Sequence, residues 1–516
     1  MMTRVDPALA AEARGASAPR AVVIGAGLGG LAAAMRLGAK GYRVTVLDRL
    51  DSPGGRGSAL HVEGHRFDLG PTIVTVPQVF RDLWAACGRD FDVDVDLRAL
   101  DPFYEIRWPD GSAFRARQDT QAMLAEVARL SPGDLAGYRR FLRDAEERYG
   151  FGFENLGRRP MHRLADLLAV LPRFAWLRAD RSVAAHAARR VRDPRLRMAL
   201  SFHPLFIGGD PFRVTSMYAL VSHLEKCFGV HYAIGGVAAI AAAMARVVAD
   251  QGGLVQQGAE VDEILVHGGA ARGVRLTGGE IVTAEVVVSN ADAGHTYTHL
   301  LRNHSRRRWR GDRLLRKRWS MSLFVWYFGT RGTRGMWPDV GHHTILNGPR
   351  YEGLVRDIFR NGRLAEDMSL YIHRPSVTDP TVAPDGDDTF YVLSPVPHLG
   401  HADPVDWQAM AEPYRARVAQ VLEERLMPGF AARLGPERIF TPETFRDRYL
   451  SPFGAGFSLE PRILQSAWFR PHNISEEARG LYLVGAGTHP GAGLPGVVAS
   501  AEVLGRLVPD AAAVRP

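Results

Sequence analysis

Apolar and polar positions follow two different rhythms along this chain. Near the N-terminus AVVIGAG leads into GLAAAMRLGAKG and then YRVTVLDR, which predicts strand, glycine turn, helix and second strand in quick succession. Residues 120–200 place apolar side chains three and four apart with few β-branched runs, the pattern of helices. GGVAAIAAAMARVVAD, residues 235–250, predicts a small-residue helix packed tightly on a sheet. The alternating stretch EVDEILVHGGAARGVRLTGGEIVTAEVVVSNAD follows, with turns at Gly268-Gly269 and Gly278-Gly279, and reads as a hairpin. SLFVWYF, MSLYIHRP and TFYVLSPV predict mixed strands, and residues near 406–427 an amphipathic helix. Close to the C-terminus LYLV enters GAGTHPGAGLPGVVAS, a second strand, glycine turn and helix. No repeat or low-complexity segment interrupts the pattern. The strand–helix units at both ends and near 235–290 are expected to fold together as one discontinuous domain.

A chain of 516 residues exceeds what a single compact unit buries, so more than one core is expected. Two cysteines, Cys87 and Cys227, cannot build a disulfide framework or a cysteine-rich metal site, and their number fits a reducing cytoplasm. The first twenty residues hold acids and no apolar core, so they read as a leader and not a signal peptide. The longest uncharged run, Leu481 to Ala501, contains five glycines and two prolines and cannot be a membrane-spanning helix.

The net charge of +8 is concentrated: residues 158–200 hold eleven arginines against three aspartates around LADLLAVLPRFAWL, and residues 301–319 hold nine basic residues and one acid with Trp309 and Trp319 among them. Basic residues interleaved with leucine and tryptophan suit an anionic membrane surface. No nucleic-acid fold signature accompanies them, so nucleic acid is not an expected partner.

The N-terminal turn carries G-x-G-x-x-G at Gly25, Gly27 and Gly30, with Ala26 and Gly29 between and Ala34 continuing the close helix contact. Gly25 permits the turn, Gly27 lets backbone approach a pyrophosphate, and Gly30 lets the helix pack. Asp48 ends the next strand, where a carboxylate can accept from ribose hydroxyls. Strand, helix and acid in these places predict dinucleotide binding. The C-terminal GAGTHPGAGLPG is a second cradle of the same kind, about 450 residues away.

Beyond Asp48 come DSPGGRGSAL, with Gly54, Gly55 and Arg56, and then GHRFDLGPT. This order resembles the FAD-dependent amine oxidase and carotenoid desaturase superfamily. YAIGGVAAIAAAMA, VVVSNAD, RPSVTDPTVAPDGDDTFYVLSPVP, YLSPFGAGFSLEP and GLYLVGAGTHPGAGLPGV narrow the resemblance to bacterial phytoene desaturases of the purple-bacterial type, over residues 20 to 510. The resemblance implies FAD as cofactor. Gly55 and Arg56 then lie at the pyrophosphate, Gly70, Pro71 and Thr72 beside the flavin ring, and Gly485 and Gly487 near the ribityl and phosphate groups. The N–H groups around Pro495, Gly496 and Val497 would face the ring, and Val261 and Asn290 join the cofactor site. Both cradles serve one long cofactor.

The implied fold class is α/β, an α+β two-part flavoprotein. A discontinuous Rossmann-like FAD-binding domain is expected over 20–90, 229–299 and 455–510, and a mixed-sheet substrate domain over 91–140 and 300–454. Residues 141–228 form a helical, membrane-associating part and 1–19 a leader. The implied reaction is stepwise desaturation of phytoene to neurosporene and/or lycopene, with partly desaturated carotenoids as intermediates and a quinone or oxygen as final electron acceptor. The implied location is cytoplasmic, on the inner face of the cell membrane.

The hydrocarbon offers no polar handle, so positioning and a flavin electron sink must do the chemistry. The sequence does not settle which side chain takes the proton: Glu147, Arg148, His203, His231 and Tyr232 are the candidates. Arg374 and Asp379 in HRPSVTDP read as loop anchors, and no metal-ligand spacing or nucleophile triad is visible. Two rivals share the architecture. The GDP-dissociation inhibitors bind prenyl chains without catalysis, and amine oxidases frame an amine with an aromatic pair that cannot be located in this sequence.

Overall fold

The computed structural model describes residues 18–514, so the expected leader lies outside the described residues except for its last two. Five strands, β1 (Arg20–Ile24), β2 (Arg43–Leu47), β3 (Leu254–Gln256), β4 (Val286–Ser289) and β5 (Leu481–Leu483), form an all-parallel sheet in the order β5-β4-β1-β2-β3. The β-branched runs of the central β1 and β4 are buried on both faces, as a parallel sheet requires, while β3 at the edge is partly exposed. Helices α1 (Leu28–Ala39), α2 (Gly236–Asp250) and α3 (Leu494–Leu507) cover one face through alanines and valines such as Ala32, Ala33, Ala241, Val498 and Ala501. Small side chains let these axes come close to the sheet and to each other. The other face is covered by the glycine-paired stretch, which is a three-stranded antiparallel meander (Val261–His267, Ala270–Leu276, Ile281–Thr283), one strand more than a simple hairpin. Trp309 and Trp319 pack into this same core. They are buried, with Trp309 Nε1 donating to Glu476 and Trp319 Nε1 to the Leu315 carbonyl, which removes both tryptophans from any membrane-facing role.

A seven-stranded mixed sheet builds the second part, in the order Leu434–Phe440, Ser322–Thr330, Asp388–Val396, Leu370–His373, His343–Leu346, Tyr104–Arg107, Ala113–Ala116. Only the fifth and sixth strands pair in parallel. Alternation sorts its two faces. Phe324, Trp326, Phe328, Phe390 and Val392 pack against the Trp407–Arg425 helix through Trp407, Tyr414, Val418 and Leu422, while Leu323, Val325, Tyr327, Tyr391 and Leu393 look toward a central cavity.

Arg374 and Asp379 anchor loops here. Arg374 donates to both oxygens of the buried Asp388 and to three carbonyls. Asp379 holds Arg66, Thr381 and the Gly235 amide. Removing one member of a buried ion pair strands the other. Asp388→Ala is expected to cost about 3–5 kcal/mol of stability, read as a lowered denaturant midpoint.

Candidate functional site

Two turns meet at the C-terminal edge of the parallel sheet. In the first, Gly25 takes φ +94° and donates to the Leu47 carbonyl at 2.7 Å. A β-carbon at Gly30 would lie 2.0 Å from the Gly25 carbonyl oxygen, so the first turn of α1 tolerates no side chain there. Asp48 secures the turn: Oδ2 accepts from the Ala26 amide at 2.6 Å and Oδ1 from Leu50 at 2.8 Å. Leu31 is the first residue of α1 whose amide closes back, onto the Gly27 carbonyl, which leaves the amides before it aimed at the cavity.

The second turn mirrors the first. Gly485 also has φ +94°, and its amide donates to Ser500 Oγ at 2.9 Å. Asn290 at the end of β4 sits between the two turns. A β-carbon at Gly27 would be 2.8 Å from its Nδ2, and one at Gly29 or Gly485 would be 2.6 Å from its Oδ1. Gly487 is closed behind by the Ala293 amide, 2.8 Å from a β-carbon position. At the start of α3 the expected donors need one correction. Pro495 has no N–H, and the Val497 amide already donates to the Gly493 carbonyl, so the amides free to face a ligand are those of Leu494 and Gly496.

The GGR loop closes over the first turn, with Gly54 donating to the Ala26 carbonyl at 2.8 Å. Arg56 Nε is shut away from water without a hydrogen-bond partner, as is His295 Nε2. Burial draws the Arg56 guanidinium below its ordinary pKa while Asp292 nearby acts in the opposite sense. Unmet donors on a largely enclosed cation, beside helix amides with no side chains in the way, fit the pyrophosphate and sugar of a dinucleotide. Gly70 presses on the Arg56 carbonyl, and Thr72 Oγ1 hydrogen-bonds with Tyr371 OH at 2.9 Å.

Ala26, Gly30 and Gly487 form the packing behind these turns. The remaining expected cofactor residues, Gly25, Gly27, Gly29, Asp48, Gly55, Arg56, Gly70, Pro71, Thr72, Val261, Asn290, Gly485, Pro495, Gly496 and Val497, line a single cavity. The cavity is partly open and runs on from the glycine turns to the inner face of the seven-stranded sheet. Away from the glycine turns its wall is apolar, built by residues such as Met198, Phe206, Leu224, Leu323, Val325 and Leu393.

Of the five candidate proton acceptors only His203 reaches this wall. Glu147 is exposed on a helix surface. Arg148 is buried and bonds the Asp144 and Leu177 carbonyls, tying the Leu135–Tyr149 helix to the segment after Leu164–Trp176. His231 pairs as backbone with Val74, and Tyr232 lies behind it against the His342 ring. Three residues distant in sequence meet instead. His203 Nε2 and Tyr104 OH both contact Glu225 Oε2, at 3.2 and 2.9 Å, and each other at 3.1 Å. A further buried cluster, His342, His343 and His373, follows from the pairing of His343 opposite His373. His342 Nε2 and His373 Nε2 share a hydrogen bond at 3.1 Å, and His343 Nδ1 meets Tyr371 OH at 2.6 Å. Burial keeps all three neutral, with His342 pushed down to about 3.

At the mouth, residues Gly150–Gly157 form a π-helical turn whose Phe153 and Leu156 line the cavity. The Leu164–Trp176 helix beside it buries none of its own residues, and exposes Leu164 by 57%, Leu168 by 57%, Leu171 by 47% and Trp176 by 73%. Its Phe174 points inward onto the cavity. Among the described residues no helix is long and apolar enough to cross a membrane.

The flavin containing amine oxidoreductase family matches residues 28–502. A phytoene desaturase (neurosporene-forming) of Cereibacter sphaeroides is 73% identical over 96% of both chains, and one of Rhodobacter capsulatus is 68% identical over 95% of this chain and 94% of that one. An oxidoreductase structure from Methanosarcina mazei superposes with a TM-score of 0.62 at 19% identity, covering 93% of this chain and 98% of that chain, which shows the shared fold.

Gly27→Val places a branched side chain against Asn290 and into the approach to the pyrophosphate. The variant is expected to purify colourless, with far-UV dichroism retained and the flavin-to-protein absorbance ratio near zero.

Proposed function

As the chain belongs to the flavin-containing amine oxidoreductases, we propose that it desaturates phytoene stepwise and that its principal product is neurosporene. It is an FAD-dependent oxidoreductase acting on CH–CH groups in carotenoid biosynthesis. The observation that carries this reading is the division of one cavity into a polar half at two glycine turns and an apolar half reaching the exposed helix. An apolar wall suits a hydrocarbon, whose buried methylenes each contribute about 0.8 kcal/mol. The relatives of 73% and 68% identity are phytoene desaturases, which speaks against an amine as substrate. A prenyl-binding protein without catalysis would have no use for the close glycine packing and the unmet Arg56 donor.

FAD, when bound, supplies a two-electron acceptor for hydride. The chain supplies the rest. Arg56 would meet the pyrophosphate charge, and the Leu494 and Gly496 amides at the start of α3 would favour negative charge at the ring. Thr72, held by Tyr371 and Tyr391, would fix the segment that lies beside the ring. The apolar wall excludes water and holds the polyene in register.

Because such a substrate resides in a bilayer, the protein docks on the inner face of the cell membrane through Leu164, Leu168, Leu171 and Trp176, with Arg163 and Arg173 beside them for anionic lipid. Reoxidation by a membrane quinone or by oxygen completes the cycle.

Expression in a phytoene-accumulating bacterium tests the reaction. A yellow extract in which neurosporene predominates is expected, a red lycopene extract would move the end point to four steps, and unchanged phytoene with FAD bound would remove the function. Docking is tested by sedimentation with liposomes. Binding to anionic vesicles, weakened by salt that screens charge over about 8–10 Å or less and by Leu168→Glu, is expected; equal binding to neutral vesicles at all salt concentrations would remove the arginines from this role.

A further inference from the structure

The apolar half of the cavity carries one carboxylate that the proposed binding of a hydrocarbon does not explain. Four acids line the cavity as a whole, and Asp48, Glu260 and Asp292 belong to the end with the glycine turns. Glu225, on the Leu220–Phe228 helix, stands among Leu220, Val221, Leu224, Phe202 and Met198. Burying a carboxylate in such surroundings is costly unless something compensates it. Its Oε2 is compensated by Tyr104 OH and His203 Nε2, while Oε1 has no hydrogen-bond partner among the described residues. The same three side chains also form one end of a second, small cavity on the far side of the wall. That cavity continues past Ser222 and Met123 to Gln118, Thr120 and Lys226, which are exposed. The cluster is therefore a polar partition between a dry hydrocarbon chamber and a side pocket that ends at the protein surface.

We infer that Glu225 accepts the proton released from the hydrocarbon in each desaturation, and that His203 and Tyr104 orient its carboxylate and pass the proton to the side pocket. This rests on the desaturase reading above. A hydride leaves one carbon of the CH–CH bond with its electron pair, which oxidises the hydrocarbon and reduces the flavin. The neighbouring carbon gives its proton to Glu225 Oε1, and the pair of that C–H bond becomes the new C=C. Before the proton moves, the carboxylate stabilises the positive charge that hydride loss creates, an effect strengthened by the low-polarity wall. Tyr104 remains a phenol throughout, because burial and the neighbouring carboxylate hold its pKa well above the ordinary value.

The test uses the full-length holoprotein, loaded with phytoene in anionic vesicles under anaerobic conditions. Wild type is expected to bleach its flavin in a single turnover and to develop the infrared C=O stretch of a newly protonated carboxyl. Glu225→Gln keeps the shape and the hydrogen bonds of the side chain. It is expected to retain flavin content and phytoene binding, to lose the carboxyl band, and to bleach about 10²–10⁴-fold more slowly, the range of a lost general base. Tyr104→Phe leaves the acceptor in place and serves as the folding control; it is expected to keep the band and to slow bleaching far less than Glu225→Gln. A Glu225→Gln protein that binds both ligands and bleaches at the wild-type rate, or that keeps the carboxyl band, overturns the assignment while the desaturase reading stands. A wild type whose bound flavin is not bleached by phytoene overturns both.

Discussion

Asn290 lies between the two glycine turns, and the room it leaves on either side is less than a methyl group. A β-carbon at Gly27, Gly29 or Gly485 would come within 2.8 Å of its amide, and one at Gly29 would also stand 3.1 Å from the Gly485 α-carbon. Glycine inside a helix is unfavourable by roughly 0.5–1 kcal/mol against alanine. The chain accepts that cost twice in succession at the start of α1 because the contact cannot form otherwise. Through this contact the first and last segments of the chain share one surface. The backbone amides of both can then face a single elongated cofactor, and the order of β5, β4, β1 and β2 in the sheet is what brings them level.

The second sheet uses the same space in a different way. Strict alternation along Ser322–Thr330 and Asp388–Val396 gives each strand a face that is sealed by the Trp407–Arg425 helix and a face left for the cavity. The sealed face makes the open one rigid. In the wall of Val325, Tyr327, Tyr391 and Leu393 held from behind in this way, the two tyrosine hydroxyls are engaged by the Leu69 and Gly70 carbonyls, so a hydrocarbon is positioned along it by shape.

How much of this could be read in advance depends on distance along the chain. The G-x-G-x-x-G turn, the GGR loop and the C-terminal GAGTHPGAGLPG are contiguous, and their geometry is dictated locally by residues that need positive φ or lack a β-carbon. The parallel sheet and the flavoprotein fold followed from them. The Glu225–His203–Tyr104 cluster could not be seen, because its members come from a strand, a 3₁₀ turn and a helix whose relative placement is tertiary. The three histidines behind Tyr371 depend on strand register, which a one-residue slip would destroy. Tryptophan beside arginine suggested a lipid-facing surface at 309 and 319, but the meander needed those rings to close its core. That Pro495 and Val497 offer no free N–H at the start of α3 is dictated locally, since proline has none and the fourth residue of the helix already donates to the Gly493 carbonyl.

The Leu164–Trp176 helix has thirteen residues, none of them buried in the protein. A helix of that length is marginal on its own in water, and packing on a core is what normally holds one. Its stability is thus a property of its surroundings more than of its sequence. In plain buffer it belongs at the low end of the local-unfolding scale, with Arg163 and Arg173 open to a trypsin-like protease. Under the docking proposed above, the same leucines would gain the burial that the protein withholds.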